Sequence, residues 1–253
     1  MAIKSMEVLY LGSDHADESR ITYGVAPGTM VEAVFLSFLI RADEGNILVD
    51  TGIHPEDAEK ENAEGLQRSV QPEDHLPLRL KEIGLSMEDI NILVMTHLDR
   101  DHIGWLNQLP RAEVVVQKEE YHFAFDPPPY ARHRYRFPER FKSPEIKWKL
   151  VDGDHILIPG LTVLFTPGHT PGHQSLVVNL PKNGKIILAG DVVHFVKNFE
   201  KELIPSFCGD PKQALYSIRR LKVLSQVMKA PLFPTHDMDL WRRDMLKPPK
   251  AYT

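Results

Sequence analysis

Short apolar runs separated by polar turns dominate the chain. Residues 7–11 (EVLYL), 35–40 (FLSFLI), 46–49 (NILV), 92–95 (ILVM) and 114–116 (VVV) have the length and composition of strands. The pattern returns in the second half at 156–158, 161–165, 174–178 and 185–188. Between the first runs, residues 12–30 read as a long loop and 54–73 as an acidic surface connection. Helical spacing marks 76–83, ended by Gly84 as a C-cap, and 118–125. It also marks 211–228, with apolar residues at Ala214, Leu215, Ile218, Leu221, Leu224 and Val227.

Several strand-like runs end in residues that bind metals. ILVM leads into His97, Asp99, Asp101 and His102 before Gly104 and Trp105. In extended chain His97 and Asp99 point the same way, whereas Asp101 and His102 come where the chain must turn. LTVLFTPGHTPGHQS supplies His169 and His173, KIILAGD supplies Asp191, and PLFPTHD supplies His236. One such junction is an ordinary turn. Four of them (the 97–102 cluster, His169, Asp191, His236) look like one site assembled at the edge of a sheet. Imidazole with carboxylate suits zinc, iron or manganese. Asp50, at the end of NILV before Thr51-Gly52, is placed either to orient a neighbouring site or to cap its own turn.

Composition narrows the reading. With 253 residues and 42% hydrophobic content, the chain can bury the core of one large domain or two small ones. A net charge of −5 argues against a general nucleic-acid binder. One cysteine, Cys208, excludes an internal disulfide and a cysteine-based zinc site. No signal-peptide core and no run of about 18 apolar residues is present, so a cytoplasmic protein with no membrane partner is expected. Residues 126–148 stand apart, with five prolines and basic residues interleaved with aromatics. They read as a lid or a solvated excursion; a grip on single-stranded nucleic acid is the alternative.

The ordered set His97-Leu98-Asp99-Arg100-Asp101-His102, His169, Asp191, His236 resembles the H-x-H-x-D-H motif and later ligands of the metallo-β-lactamase superfamily. ILVDTG before the motif and TPGHTPGHQS around His169 frame it in the same way. Within the superfamily the chain looks most like the N-acyl homoserine lactonases, over nearly its full length. The resemblance implies an α+β fold, a four-layer αβ/βα sandwich forming a single domain over 1–253. It implies two divalent metal ions, zinc first, with iron or manganese also open. One ion would take His97, Asp99 and His169, the other Asp101, His102 and His236, with Asp191 bridging. A hydroxide shared by the ions would open a lactone ring, possibly of an N-acyl homoserine lactone, and Asp101 would pass a proton to the leaving oxygen.

Two positions depart from that pattern. Asp99 stands where most relatives have a second histidine, which adds negative charge and favours harder ions. His194 stands where homoserine lactonases typically have a tyrosine, three residues after the bridging aspartate; it is expected either to donate a hydrogen bond to the substrate carbonyl in its place or to be a surface residue. His173 is expected to pack behind the site. His15, His54, His75, His122, His133 and His155 read as turn or surface residues. The alternatives are a hydrolase of another ester or phosphotriester, and a diiron redox protein, which Asp99 favours because flavodiiron oxygen reductases carry a carboxylate there. The expected partner is a small-molecule lactone or ester; the oligomeric state stays open.

Overall fold

The apolar runs assemble into two sheets packed face to face. The computed structural model describes residues 3–240 and 251–253. The first sheet opens with three antiparallel strands, β1 (Ile3–Asp17), β2 (Met30–Ala42) and β3 (Gly45–Val49), and the short β4 (Arg68–Ser69) pairs with β1. It continues in parallel through β5 (Ile90–Val94), β6 (Glu113–Gln117) and β7 (Lys147–Val151). The second sheet holds β8 (His155–Ile158), β9 (Leu161–Phe165), β10 (Gln174–Leu180), β11 (Gly184–Leu188) and β12 (Leu232–Phe233), in the order β12-β11-β10-β9-β8. A final strand, β13 (Ala251–Tyr252), flanks β1.

Both faces of these sheets are covered, which explains why the runs are almost uniformly apolar. Val8, Phe38 and Ile40 of the first sheet meet Val163, Leu176 and Val178 of the second. The outer face of the first sheet packs on α2 (Pro55–Ala63), α3 (Leu76–Glu82) and α4 (Lys118–Phe125) through Ala58, Leu76, Leu80 and Ala124. The outer face of the second packs Val177 and Ile187 on Ala214, Ile218 and Leu221 of α6 (Pro211–Met228); the short α1 (Glu18–Ile21) follows β1 and α5 (Val196–Lys201) precedes α6. The result is the expected four-layer αβ/βα sandwich. Val227, placed in the apolar stripe of α6 by spacing, is 75% exposed, so the stripe stops short of the helix end.

Three local expectations are corrected. Residues 12–17 are not loop: β1 runs on to Asp17 after a register shift between Tyr10 and Ser13. Its far half is polar because Asp14 faces the site cavity instead of the core. Residues 54–73 include α2, which buries Asp57 and Glu61 against arginines. A helix buried through ion pairs carries no hydrophobic periodicity to read. Finally, β7 begins inside the stretch that composition grouped as 126–148.

Candidate metal centre

The strands deliver their ends to one edge of the sandwich. Parallel pairing of β3 with β5 sets Asp50 beside Thr96. Asp50 has a φ of 56°, a left-handed conformation that Asp tolerates better than most residues. Its carboxylate accepts from the Thr96 backbone N–H (2.8 Å), the Thr96 hydroxyl (2.7 Å) and His102 Nδ1 (2.9 Å). The Thr96 hydroxyl in turn accepts from His97 Nδ1 at 2.9 Å. One carboxylate therefore orients both histidines and leaves each Nε2 facing the centre. The Gln174 N–H donates to the Thr96 carbonyl at 2.8 Å, which ties the second sheet to the same point.

Four donor groups converge there: His97, Asp99 and His169; Asp101, His102 and His236; His97, His102 and Asp191; and His169, Asp191 and His194. All these residues are buried except the half-buried Asp101. His97 Nε2 lies 3.7 Å from Asp99 Oδ2 and 3.7 Å from Asp191 Oδ2. His169 Nε2 lies 3.2 Å from Asp99 Oδ2 and 3.7 Å from Asp191 Oδ2. Tetrahedral bonds of about 2.0–2.2 Å would hold donor atoms roughly 3.3–3.6 Å apart. Asp191 reaches across, with Oδ1 3.3 Å from His102 Nε2 and Oδ2 3.1 Å from His236 Nε2. His97 Nε2, His102 Nε2, Asp99 Oδ1 and His194 Nε2 are buried without a hydrogen-bond partner. Such orphans are costly in a native interior unless they serve a ligand. The residues present fit divalent metal.

Charge is balanced tightly. Burial pushes the carboxyl of Asp191 up, but His236, His102 and His97 outweigh it and hold the group well below its usual range. Burial, helped by His102, lowers His97, whereas Asp191 and Asp50 overcome burial at His102 and raise it. Asp99 has a counter-ion that motif reading missed. Arg134 Nη1 lies 2.5 Å from Asp99 Oδ2 and 3.2 Å from His169 Nε2. Against burial, this guanidinium dominates the forces that keep Asp99 well below the usual carboxylate range. The hint was available, since an extra carboxylate in a buried site calls for an extra cation.

Residues 126–148 bring Arg134 in. Tyr135, Phe137 and Phe141 bury their rings, while Arg140 pairs with Asp57 (2.7 Å) and Arg136 with Glu64. The basic residues of this segment thus meet the acids of α2. Glu120 is a second missed residue. Its carboxylate accepts from Leu98 N–H (2.9 Å), Gly172 N–H (3.2 Å) and the Tyr135 hydroxyl (3.1 Å), joining both ligand loops to the segment. Gly172 permits this, because a Cβ there would sit 2.0 Å from the Glu120 backbone nitrogen.

His194 and His173 part company. His173 Nδ1 donates to the Thr166 carbonyl at 3.0 Å, and its Nε2 packs against Gly190, behind the centre. His194 Nδ1 lies 3.0 Å from the Ile21 carbonyl, which only accepts, so this nitrogen carries the proton. The other nitrogen, Nε2, faces the centre, 3.4 Å from Asp191 Oδ2. His15, His54, His75, His122, His133 and His155 join no donor group among the described residues; His54 caps α2.

The centre opens into a cavity walled by Arg20, Phe35, Arg68, Arg100, Arg134 and Phe207. A sequence model described as the metallo-beta-lactamase superfamily matches residues 36–242. The chain belongs to the metallo-β-lactamase superfamily. Among relatives of this member, N-acyl homoserine lactonase AiiA of Bacillus thuringiensis subsp. kurstaki is 32% identical over 94% of this chain and 95% of its own length. N-acyl homoserine lactonase AttM of Rhizobium radiobacter is 32% identical over 69% of this chain and 68% of its own. The solved structure of an N-acyl homoserine lactone hydrolase, with the product N-hexanoyl-L-homoserine at its catalytic metal center, superposes with a TM-score of 0.88 at 28% identity over 100% of both chains. No helix among the described residues is long and apolar enough to cross a membrane.

Proposed function

We propose that this superfamily member is a dinuclear metal-dependent lactonase acting on N-acyl homoserine lactones or close analogues. The observation that carries the reading is Asp191, whose two oxygens reach histidines of both donor trios. In this reading His97, Asp99 and His169 would hold one ion and Asp101, His102 and His236 the other, with Asp191 available to both. The ions supply Lewis acidity that polarises a carbonyl and acidifies water. Zinc is the first choice, with iron or manganese favoured to the extent that Asp99 binds directly.

The chain's own groups do the rest. Burial opposes ionisation of Asp101, but His102, Arg68 and Arg100 hold its carboxyl below the usual range. As a half-buried carboxylate at the cavity wall it can take a proton and return it to the ring oxygen as the lactone opens. The 126–148 segment serves as a fixed lid, its buried aromatics excluding water from the His169 side. The whole chain acts as one domain.

Elemental analysis after reconstitution, run beside a panel of lactones, esters and phosphotriesters, tests the reading. Two equivalents of metal and preferential lactone opening are expected. A plateau at one equivalent overturns the bridged site, and turnover confined to phosphotriesters overturns the substrate class.

A further inference from the structure

Five histidines present Nε2 to the centre, and the ligand set above uses four of them. The fifth is His194. We propose that His194 Nε2 is itself a metal donor, completing the coordination of the ion held by His169 and Asp191. The inference rests on the dinuclear reading and adds a ligand to it.

Three independent observations carry it. First, the lone pair is in place. Nδ1 donates to the Ile21 carbonyl at 3.0 Å, as His236 Nδ1 donates to the Val34 carbonyl at 2.7 Å. A backbone acceptor behind the ring fixes the tautomer and aims the other nitrogen, which is how proteins orient histidine ligands. Second, Nε2 makes no hydrogen bond among the described residues. The residue is 5% exposed, and Nε2 is buried without a hydrogen-bond partner. Third, the nitrogen lies at donor spacing: 3.4 Å from Asp191 Oδ2 and within one donor group with His169. His173 is the contrast. Its Nε2 is also orphaned, but it packs on Gly190 and, among the described residues, belongs to no donor group.

The local chain imposes this placement. Asp191 sits in a single tight turn at Gly190–Val192, His194 follows two residues after it, and the His194 carbonyl accepts from the His236 N–H at 3.1 Å. Asp191, His194 and His236 are thus linked through one turn and one backbone hydrogen bond. With His194 added, one half of the centre has the candidate donors His97, Asp99, His169, Asp191 and His194. That exceeds the four ligands usual for a structural zinc site and suits ions that take five or six. The position at 194 then fills a coordination site instead of contacting substrate.

Cobalt(II) is the probe, on the whole chain. Wild type is expected to bind two equivalents. His194→Phe, which keeps a ring of similar size, should weaken one of the two by about tenfold or more in competition with a chelator. The ligand-field absorption should intensify as a ligand is lost, and added imidazole should restore affinity in His194→Ala. A measurement on wild type needs no variant: in nitrogen-15 spectra, zinc loading should shift His194 Nε2 as it shifts His97 Nε2. An unshifted His194 Nε2 in protein holding two zinc ions overturns the proposal and leaves the dinuclear reading standing. Unchanged affinity and spectrum in folded variants do the same. Wild type that binds no metal overturns both.

Discussion

The two halves of the centre are built differently. The half with His102 and His236 is held by the sheet. Asp50 at the end of β3 orients His102, and the Val34 carbonyl of β2 orients His236. The half with Asp99 and His169 shares the Asp50 support only through His97 and is otherwise held by loops. Arg134 comes from the 126–148 segment, Glu120 from α4 stitches the loops, and His169 Nδ1 has no hydrogen-bond partner. The loop-held half is also the one that departs from the superfamily motif. A strand end offers fixed backbone partners and leaves little freedom in which ligand it can carry. A loop-built half can exchange histidine for aspartate if a cation arrives with it, and Arg134 is that cation.

The sharpest way to break this comparison is to separate Asp99 from Arg134. Asp99→His would leave a buried, unpaired guanidinium, a loss of about 3–5 kcal/mol. Asp99→His with Arg134→Leu should regain most of it. Urea unfolding of the metal-free proteins measures both, and a single-variant cost near zero would show that the pair is not a unit. Glu120→Gln comes next. An amide cannot accept at both ends, so at least one of Leu98 N–H and Gly172 N–H loses its partner, at a cost of about 1–3 kcal/mol. Metal titration should show selective weakening of the His169 half; equal weakening of both halves would dissolve the distinction.

The smallest effect is in pH. Burial, with His169 adding to it, pushes His173 down to about 3, so the native state keeps it neutral while the unfolded chain protonates near pH 6.5. Its contribution is fully present above about pH 6.5 and is lost as pH falls toward 3, because the unfolded state then binds the extra proton. The first unit below pH 6.5 should cost about 1 kcal/mol. Unfolding of His173→Gln against pH should show that slope removed; an unaltered slope would mean that other groups carry it.

What could be read along the chain was local. The bounds of α4 and α6 follow from periodicity and capping, and Asp210 does accept from the N–H groups of Lys212 and Gln213 at the start of α6. The positions of His97, Asp99, Asp101, His102, His169, Asp191 and His236 at strand ends follow from where apolar runs stop. Asp50 was half legible: its place beside a turn was plain, but its hold on two histidines needed the parallel register of β3 and β5. Arg134 and Glu120 were not legible, because an arginine in a basic stretch and a glutamate in a polar helix show nothing until a particular face is buried. Likewise, no sequence pattern says which nitrogen of His194 meets the Ile21 carbonyl. Periodicity records which residues leave water; which charges and lone pairs are then left facing one another depends on contacts between separate segments, from 35 residues apart for Asp99 and Arg134 to 173 for Ile21 and His194.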